Sequence, residues 1–222
     1  TIFKSLFSVF SLRNSLLFSS MAFLTQGSYN YMDVILPIFT VKELGWTDLV
    51  YSQLFATATL IGGLSGLLIG GILIDKFGKK RMMNIYFFCM IASTSLLVFL
   101  KPYWSNTSFI YGFMVVYNIM NVFASIGVFS IAMQCCWKKV SASQFTLYMT
   151  ISNLGRIALA ALIGPIRDNF SWGITLLGFA GFILVAWILL QFLNIESHVK
   201  SIEHLENQDL ESEIIKLSVI RN

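Results

Sequence analysis

The sequence predicts an all-α membrane protein whose core is six transmembrane helices in one bundle. Three observations predict it. Of 222 residues, 56% are hydrophobic and only 12% charged, whereas a soluble domain carries about 25% charged residues; mean hydropathy is +0.75. Apolar stretches of roughly 20 residues recur, each long enough to cross a bilayer, and polar loops containing Gly, Pro or Trp separate them. The charges collect in those short loops, as lipid-flanking charges do, so the net charge of +4 does not indicate a nucleic-acid partner. The partner it indicates is the lipid bilayer.

Taken in order, residues 1–13 read as an interfacial lead helix or the end of a linker. The bundle occupies 14–193, with spans at 14–40, 49–74, 82–100, 108–136, 143–166 and 173–193. Residues 194–222 form an acidic cytosolic tail holding six of the eleven acidic residues and both histidines, His198 and His204. In the tail Ile195, Val199, Ile202 and Leu205 repeat at helical spacing and predict a short amphipathic helix. Lys and Arg set the orientation. Lys4, Arg13, Lys76, Lys79, Lys80, Arg81, Lys138 and Lys139 fall on one side, against Lys42, Lys101 and Arg167 on the other, which places both ends in the cytoplasm. Trp46, Trp104 and Trp172 then fall at the outer interface and Trp137 at the inner one, as an aromatic belt would place them, while Trp187 lies inside the last span and reads as packing. Pro37 and Pro165 sit near outer span ends, where proline kinks or ends a helix. Cys89, Cys135 and Cys136 are an odd, span-associated set that argues against a disulfide framework. The chain opens on Thr1 with no signal peptide ahead of the first span, which suggests a piece of a longer product. Asn106-Thr-Ser and Asn169-Phe-Ser match glycosylation sequons in loops too short to favour their use.

The second cytoplasmic loop carries the most specific pattern, Gly71-Ile-Leu-Ile-Asp75-Lys76-Phe77-Gly78-Lys79-Lys80-Arg81. Gly78 permits a tight turn between antiparallel spans. Lys76, Lys79 and Lys80 hold the loop at the cytosolic face. Asp75 ends a helix, where an anion opposes the dipole, so it requires an external partner. Just before it, Gly62, Gly66 and Gly70 recur every four residues, a small-residue face that lets another helix approach closely. The loop matches, at every fixed position, the G-x-x-x-D-[RK]-x-G-[RK]-[RK] signature of the major facilitator superfamily. The fifth span, with Ser143-Gln144-Phe145-Thr146-Leu147 and then Gly155-Arg156, resembles the eleventh helix of AmpG-like muropeptide permeases and the related acetyl-CoA transporters, although Ser143 and Thr146 depart from the common Thr and Ala. Asp168-Asn-Phe-Ser-Trp172-Gly is similar to the start of that family's twelfth helix. The resemblance implies the C-terminal half of a twelve-helix fold, two inverted three-helix repeats, in a bacterial inner membrane, with a second six-helix half upstream or on a partner chain. Neighbouring permeases import siderophores, so muropeptide-like and siderophore-like solutes both stay open.

Ionisable residues inside a membrane are costly and mark functional positions by default; here they are Asp33 and Arg156. Gln26, Tyr29, Asn30 and Asp33 fall within about 100° of one another on the first span, and Tyr111, Asn118, Asn121 and Ser125 do so on the fourth. The fifth offers Thr146, Thr150, Asn153 and Arg156. The sixth is almost wholly apolar and reads as lipid-facing. Arg156 lies within roughly 3 Å of its span's centre and Asp33 about 9 Å outward of its own. The expected substrate-binding and coupling set is therefore Arg156, Asp33, Gln26, Tyr29, Asn30, Asn118, Asn121 and Asn153, with Asp33 pairing with Arg156 in the resting cavity and taking a coupling proton. No cofactor, metal or catalytic residue is expected. An intramembrane protease lacks its buried Ser–His pair or aspartate dyad, a bis-histidine haem protein lacks membrane histidines, and a voltage sensor lacks repeated arginines. The expected function is secondary, ion-coupled transport of a small polar or anionic solute. A non-transporting receptor or scaffold built from a half bundle stays open beside it.

Overall fold

A computed structural model of the chain describes the backbone of residues 2–220 and the side chains of 5–208. Lys4 and the distal tail acids Asp209, Glu211 and Glu213 fall outside the described side chains. Every described element is helical. A short α1 (Ile2–Phe10) leads into α2 (Arg13–Lys42), α3 (Asp48–Ser65) and α4 (Gly71–Phe77). Next come α5 (Lys79–Phe99), α6 (Thr107–Gln134), α7 (Ser141–Ala161) and α8 (Ile163–Asn169). The chain closes with α9 (Trp172–Phe192) and the tail helix α10 (Ile195–Ile220).

Local chemistry accounts for the boundaries. The Thr47 hydroxyl accepts from Val50 N–H at 3.3 Å and starts α3; the Asn106 side chain accepts from Ser108 N–H at 2.9 Å and starts α6. Such caps satisfy amide groups that no earlier turn can reach. Gly78, at φ 87°, separates α4 from α5 in a conformation that L side chains rarely adopt. A π-helical turn, Gly66–Gly70, joins α3 to α4, so that Asp48–Phe77 runs as one helical unit. Pro37 does not end α2, which continues to Lys42. Pro165 sits in the first turn of α8, just past the break at Leu162, where its missing N–H costs least.

Among the described residues, five helical units are long and apolar enough to cross a membrane: Asp48–Phe77, α5, α6, Lys138–Asn169 and α9. α2 is equally long at 30 residues but is not among the five. Its serines, Thr25, Gln26, Asn30 and Asp33 lower its apolarity, and many of them turn inward: Ser15, Ser19, Thr25 and Ser28 are buried and the hydroxyls of the last three return to carbonyls four residues back.

α2 lies along α7 and α9, α3 along α6, and α5 between α6 and α9. The α2–α7 contact is nearly backbone to backbone. A Cβ on Gly27 would stand 2.7 Å from the Gly155 carbonyl, and one on Gly155 would meet the Phe23 main chain. The Gly62, Gly66 and Gly70 face packs against Asn118, Val122 and Ile126 of α6, inside this chain. α9 buries Leu176, Phe179 and Ile183 and turns Ile174, Leu184 and Ile188 outward. Three of the tryptophans are packing residues more than belt residues. Trp104 and Trp172, buried, pack edge-on against Phe39 at 4.8 and 5.5 Å. Trp137 is buried at the opposite end. Trp187 is more than packing, since its indole N–H donates to Asn84 Oδ1 at 2.6 Å.

At the Trp137 end, α1, α10 and the α6–α7 corner share a small apolar cluster of Val9, Trp137, Val140 and Ile202. A buried polar chain runs beneath it. His198 Nε2 lies 3.1 Å from the Cys135 carbonyl, which also accepts from Gln144 Nε2 at 2.8 Å. Gln144 Oε1 accepts from Trp137 N–H, Gln144 Nε2 also meets Tyr148 Oη at 2.9 Å, and Tyr148 donates to Ser15 Oγ, which donates to the Val9 carbonyl. A carbonyl can only accept, so Nε2 of His198 carries the hydrogen and Nδ1 is left as a buried acceptor without a partner among the described residues.

Two expectations follow. Gly155→Ala places a methyl group in the Phe23 backbone and should destabilise the fold by about 1–3 kcal/mol, whereas Gly181→Ala, with nothing within 4 Å of its added Cβ, should be neutral or stabilising. Thermal unfolding of both variants in one detergent checks the contrast. Burial holds the His198 imidazole below its ordinary pKa of 6.5. The folded state therefore binds its proton less readily than the undocked tail does, so docking is strongest above about pH 6.5 and weakens as the pH falls below it. The hydrogen bond to the Cys135 carbonyl opposes that effect but is the smaller of the two. Trp137 emission, taken as parent minus Trp137→Phe, should shift toward that of a wetted indole between about pH 7 and about pH 5. His198→Phe should remove that shift.

Candidate functional site

The α2–α7 crossing brings the polar candidates together. Gln26 adjoins Gly27 and Arg156 adjoins Gly155, so the point of closest approach carries an amide on one helix and a guanidinium on the other. Asn30 Nδ2 donates to the Arg156 carbonyl at 2.9 Å, fixing the register one turn further on. A cavity of about 370 Å³ lies between α2, α6 and α7, lined by Gln26, Phe129, Phe145, Met149, Ser152, Asn153 and Arg156. The Arg156 side chain is exposed, and no hydrogen bond or ion pair neutralises its guanidinium among the described residues.

Asp33 sits in a second group. Tyr117 Oη donates to Asp33 Oδ1 at 2.8 Å and lies 3.1 Å from the Tyr29 carbonyl. Tyr29 is buried, and its own hydroxyl has no partner among the described residues. Arg156 acts on Asp33 electrostatically without forming an ion pair; the carboxylate's direct partner is Tyr117. Asn118 belongs to a third group, turned into the α3–α6 interface. Its Oδ1 accepts from Thr59 at 3.1 Å, its Nδ2 donates to the Met114 carbonyl at 2.9 Å, and Gly62 packs on its backbone. Asn121 is half-buried and accepts weakly from Ser125 at 3.5 Å. The eight candidates thus separate into a cavity set (Gln26, Asn153 and Arg156, with Asn30 behind them), an Asp33–Tyr29–Tyr117 set and an α6 set.

Sequence reasoning missed Tyr117, Phe129, Phe145, Met149 and the Gly27–Gly155 contact. A lone membrane carboxylate calls for a donor, which was the available signal for Tyr117. Nothing in the sequence says which of several glycines meets which.

The basic loop does more than mark a side. Lys79 Nζ donates to the Ser130 carbonyl at 3.2 Å and Gln134 Oε1 at 2.8 Å, at the end of α6. Lys80 Nζ donates to the Gln191 and Leu193 carbonyls at 2.9 and 2.8 Å, at the end of α9. Lys80 satisfies carbonyls that have no later amide in α9, and both ammonium groups meet the negative end of a helix dipole. Lys76 lies over the Phe77 ring at 5.6 Å. Gly71 has open space where a Cβ would stand. Asp75 is exposed in a cleft of about 830 Å³ lined also by Lys79, Lys80, Arg81 and Glu196, and it makes no hydrogen bond or ion pair among the described residues.

An acid left without a partner at a helix C-terminus is unfavourable unless another element meets it. Asp75→Asn keeps the shape and removes the charge. An interaction with a helix N-terminus is worth about 0.3–1 kcal/mol, up to ~2 when partly buried, which shifts a two-state equilibrium up to ~30-fold. Cysteine-accessibility labelling at the two cavity mouths should change in opposite directions in this variant. Unchanged labelling at normal expression removes the role from Asp75.

The Major Facilitator Superfamily model matches residues 2–160. A search of curated proteins finds no match. The matched segment spans α1 to α7, including the Gly71–Arg81 loop and the Gly27–Gly155 crossing, and with five membrane-length apolar helices it accounts for the fold as a membrane-transport fold. The chain belongs to the Major Facilitator Superfamily.

Proposed function

We propose that the chain is a six-helix half of a twelve-helix secondary transporter, built from two inverted three-helix repeats, that moves a small polar or anionic solute by alternating access with ion coupling. The observation that carries this reading is the Arg156 guanidinium, unneutralised beside Gln26 and Asn153 in a cavity between three long helices. A charge at mid-membrane costs about 2.5–3.5 kcal/mol on insertion scales, and packing alone gives no reason for it. Its five donors in a planar fork suit a carboxylate or phosphate. In this reading α2, polar on its inward faces, is the sixth span, and translocation runs between this bundle and a second half, upstream or on a partner. Asp33, with Tyr117 as its donor, is the group to carry a coupling proton. Muropeptide-like and siderophore-like solutes both carry groups that suit this fork. The cytoplasmic side is the end where Lys79, Lys80, Lys138 and Lys139 gather beside α1 and α10, in an inner membrane.

The deciding experiment is solute flux into vesicles for Arg156→Lys and Arg156→Ala, with protein abundance measured in parallel. Lysine keeps the charge and loses the bidentate fork. Flux reduced at least about tenfold in Arg156→Lys at normal abundance, as loss of a charge-assisted bond of roughly 1.5–3 kcal/mol implies, supports anion recognition. Parental flux in both variants at normal abundance removes Arg156 from recognition and coupling. Binding without flux in the complete protein leaves the scaffold reading.

A further inference from the structure

Resting on that reading of Arg156, we propose that the site selects an amphipathic anion: a carboxylate or phosphate with an aromatic or branched apolar body about 10 Å away from it, lying toward the α6–α7 corner. The Arg156 cavity has two unlike ends. Along α7, Phe145, Met149, Ser152 and Arg156 succeed one another at helical spacing on one face, and all four line the cavity. At 1.5 Å per residue, Met149 stands ~10 Å and Phe145 ~16 Å from Arg156 along the axis. The neighbouring helices repeat this division. Gln26 lies ~20 Å from the start of α2, close to the ~22 Å depth of Arg156 from the start of α7. Phe129 lies ~8 Å from the end of α6, close to the ~6 Å depth of Phe145 from the start of α7. Amide and guanidinium groups therefore share one level, and two phenyl rings and a thioether share another.

The apolar end is not consumed by packing. Phe129 is 42% exposed, and Phe145 and Met149 are only half-buried, although each is large enough to be core. A compact hydrated anion would meet Arg156, Gln26 and Asn153 and leave these surfaces uncovered. A ligand with an apolar body covers them and gains the transfer free energy of that area. Methionine adapts to rings of varied shape, so the second level reads body size loosely while the first reads charge strictly.

Butyrate and 4-phenylbutyrate share a carboxylate and differ by one ring, and their binding to the purified full-length transporter in nanodiscs tests the proposal. The parent should bind 4-phenylbutyrate about tenfold or more tighter than butyrate, as burial of a phenyl ring implies. Phe129→Ser, which alters a partly exposed side chain, and Phe145→Ser should each bring the ratio toward one, while Arg156→Lys should weaken both ligands together. Equal affinities in the parent, no measurable binding of either at millimolar concentration, or a ratio unchanged in a normally folded Phe129→Ser overturns the amphipathic assignment. If Arg156→Ala instead leaves both affinities unchanged, the anion reading of Arg156 fails, and it fails separately from the apolar level.

Discussion

The close passage of α2 over α7 sets the position of most of what surrounds it. Two glycines, Gly27 and Gly155, remove the Cβ atoms that would otherwise hold the helix axes apart, and in a bilayer such close packing supplies much of what burial from water supplies in a soluble core. Once the backbones touch, Asn30 can reach the Arg156 carbonyl, and toward the α1 end Tyr148 can reach Ser15. Both are made by short or rigid side chains, one to a main-chain carbonyl, and a wider spacing would break them. The same approach places Gln26 and Arg156 beside each other on the open flank. A structural requirement for small residues and the location of the Arg156 cavity thus coincide at one crossing.

Elsewhere the interior follows the rule that buried polar groups find partners. Asn118 is used by Thr59 and Met114, Asn84 by Trp187 and Gln191, and Gln144 by Trp137, Cys135 and Tyr148. The loop lysines Lys79 and Lys80 are spent on the ends of α6 and α9. Against that background the untied groups among the described residues include the Arg156 guanidinium and the Asp75 carboxylate, beside the buried Tyr29, Tyr86 and Thr94 hydroxyls and His198 Nδ1. Two of these are full charges, each next to a glycine-containing segment that keeps its surroundings open.

The all-helical class, the membrane-length apolar segments and the superfamily were legible because each rests on a local signal: composition, hydropathy over about 20 residues, and an eleven-residue loop pattern. α2 shows where composition misleads, since the polar residues that draw attention to it also dilute its apolar signal. The site was legible as a set of residues but not as an arrangement. Helical angles put Asn118 and Asn121 on a wet face, yet Asn118 is turned toward Thr59 because Gly62 lets α3 come close enough to use it. Asp33 and Arg156 were expected to pair. Which donor reaches Asp33 depends on how α6 lies against α2, and Tyr117 wins that place. The lysines of the loop carried a topological meaning in sequence and an additional capping role in space, for which pattern alone gives no warning.

These outcomes bear on how the two membrane charges are to be understood. Had Asp33 and Arg156 formed a buried pair, each would neutralise the other, and a structural role would suffice for both. Instead Asp33 has a neutral hydrogen-bond donor that stabilises its charge without cancelling it, and the Arg156 guanidinium makes no hydrogen bond or ion pair among the described residues. On the proposed reading this asymmetry is what a cycle requires. A guanidinium already saturated by a carboxylate would make an incoming anion compete with a bond of similar strength, whereas an open one lets the anion's own binding energy act on the equilibrium between conformations. The carboxylate, separate but within electrostatic reach of Arg156, then senses whether that anion is present, and its proton occupancy can follow the solute without the two charges ever touching.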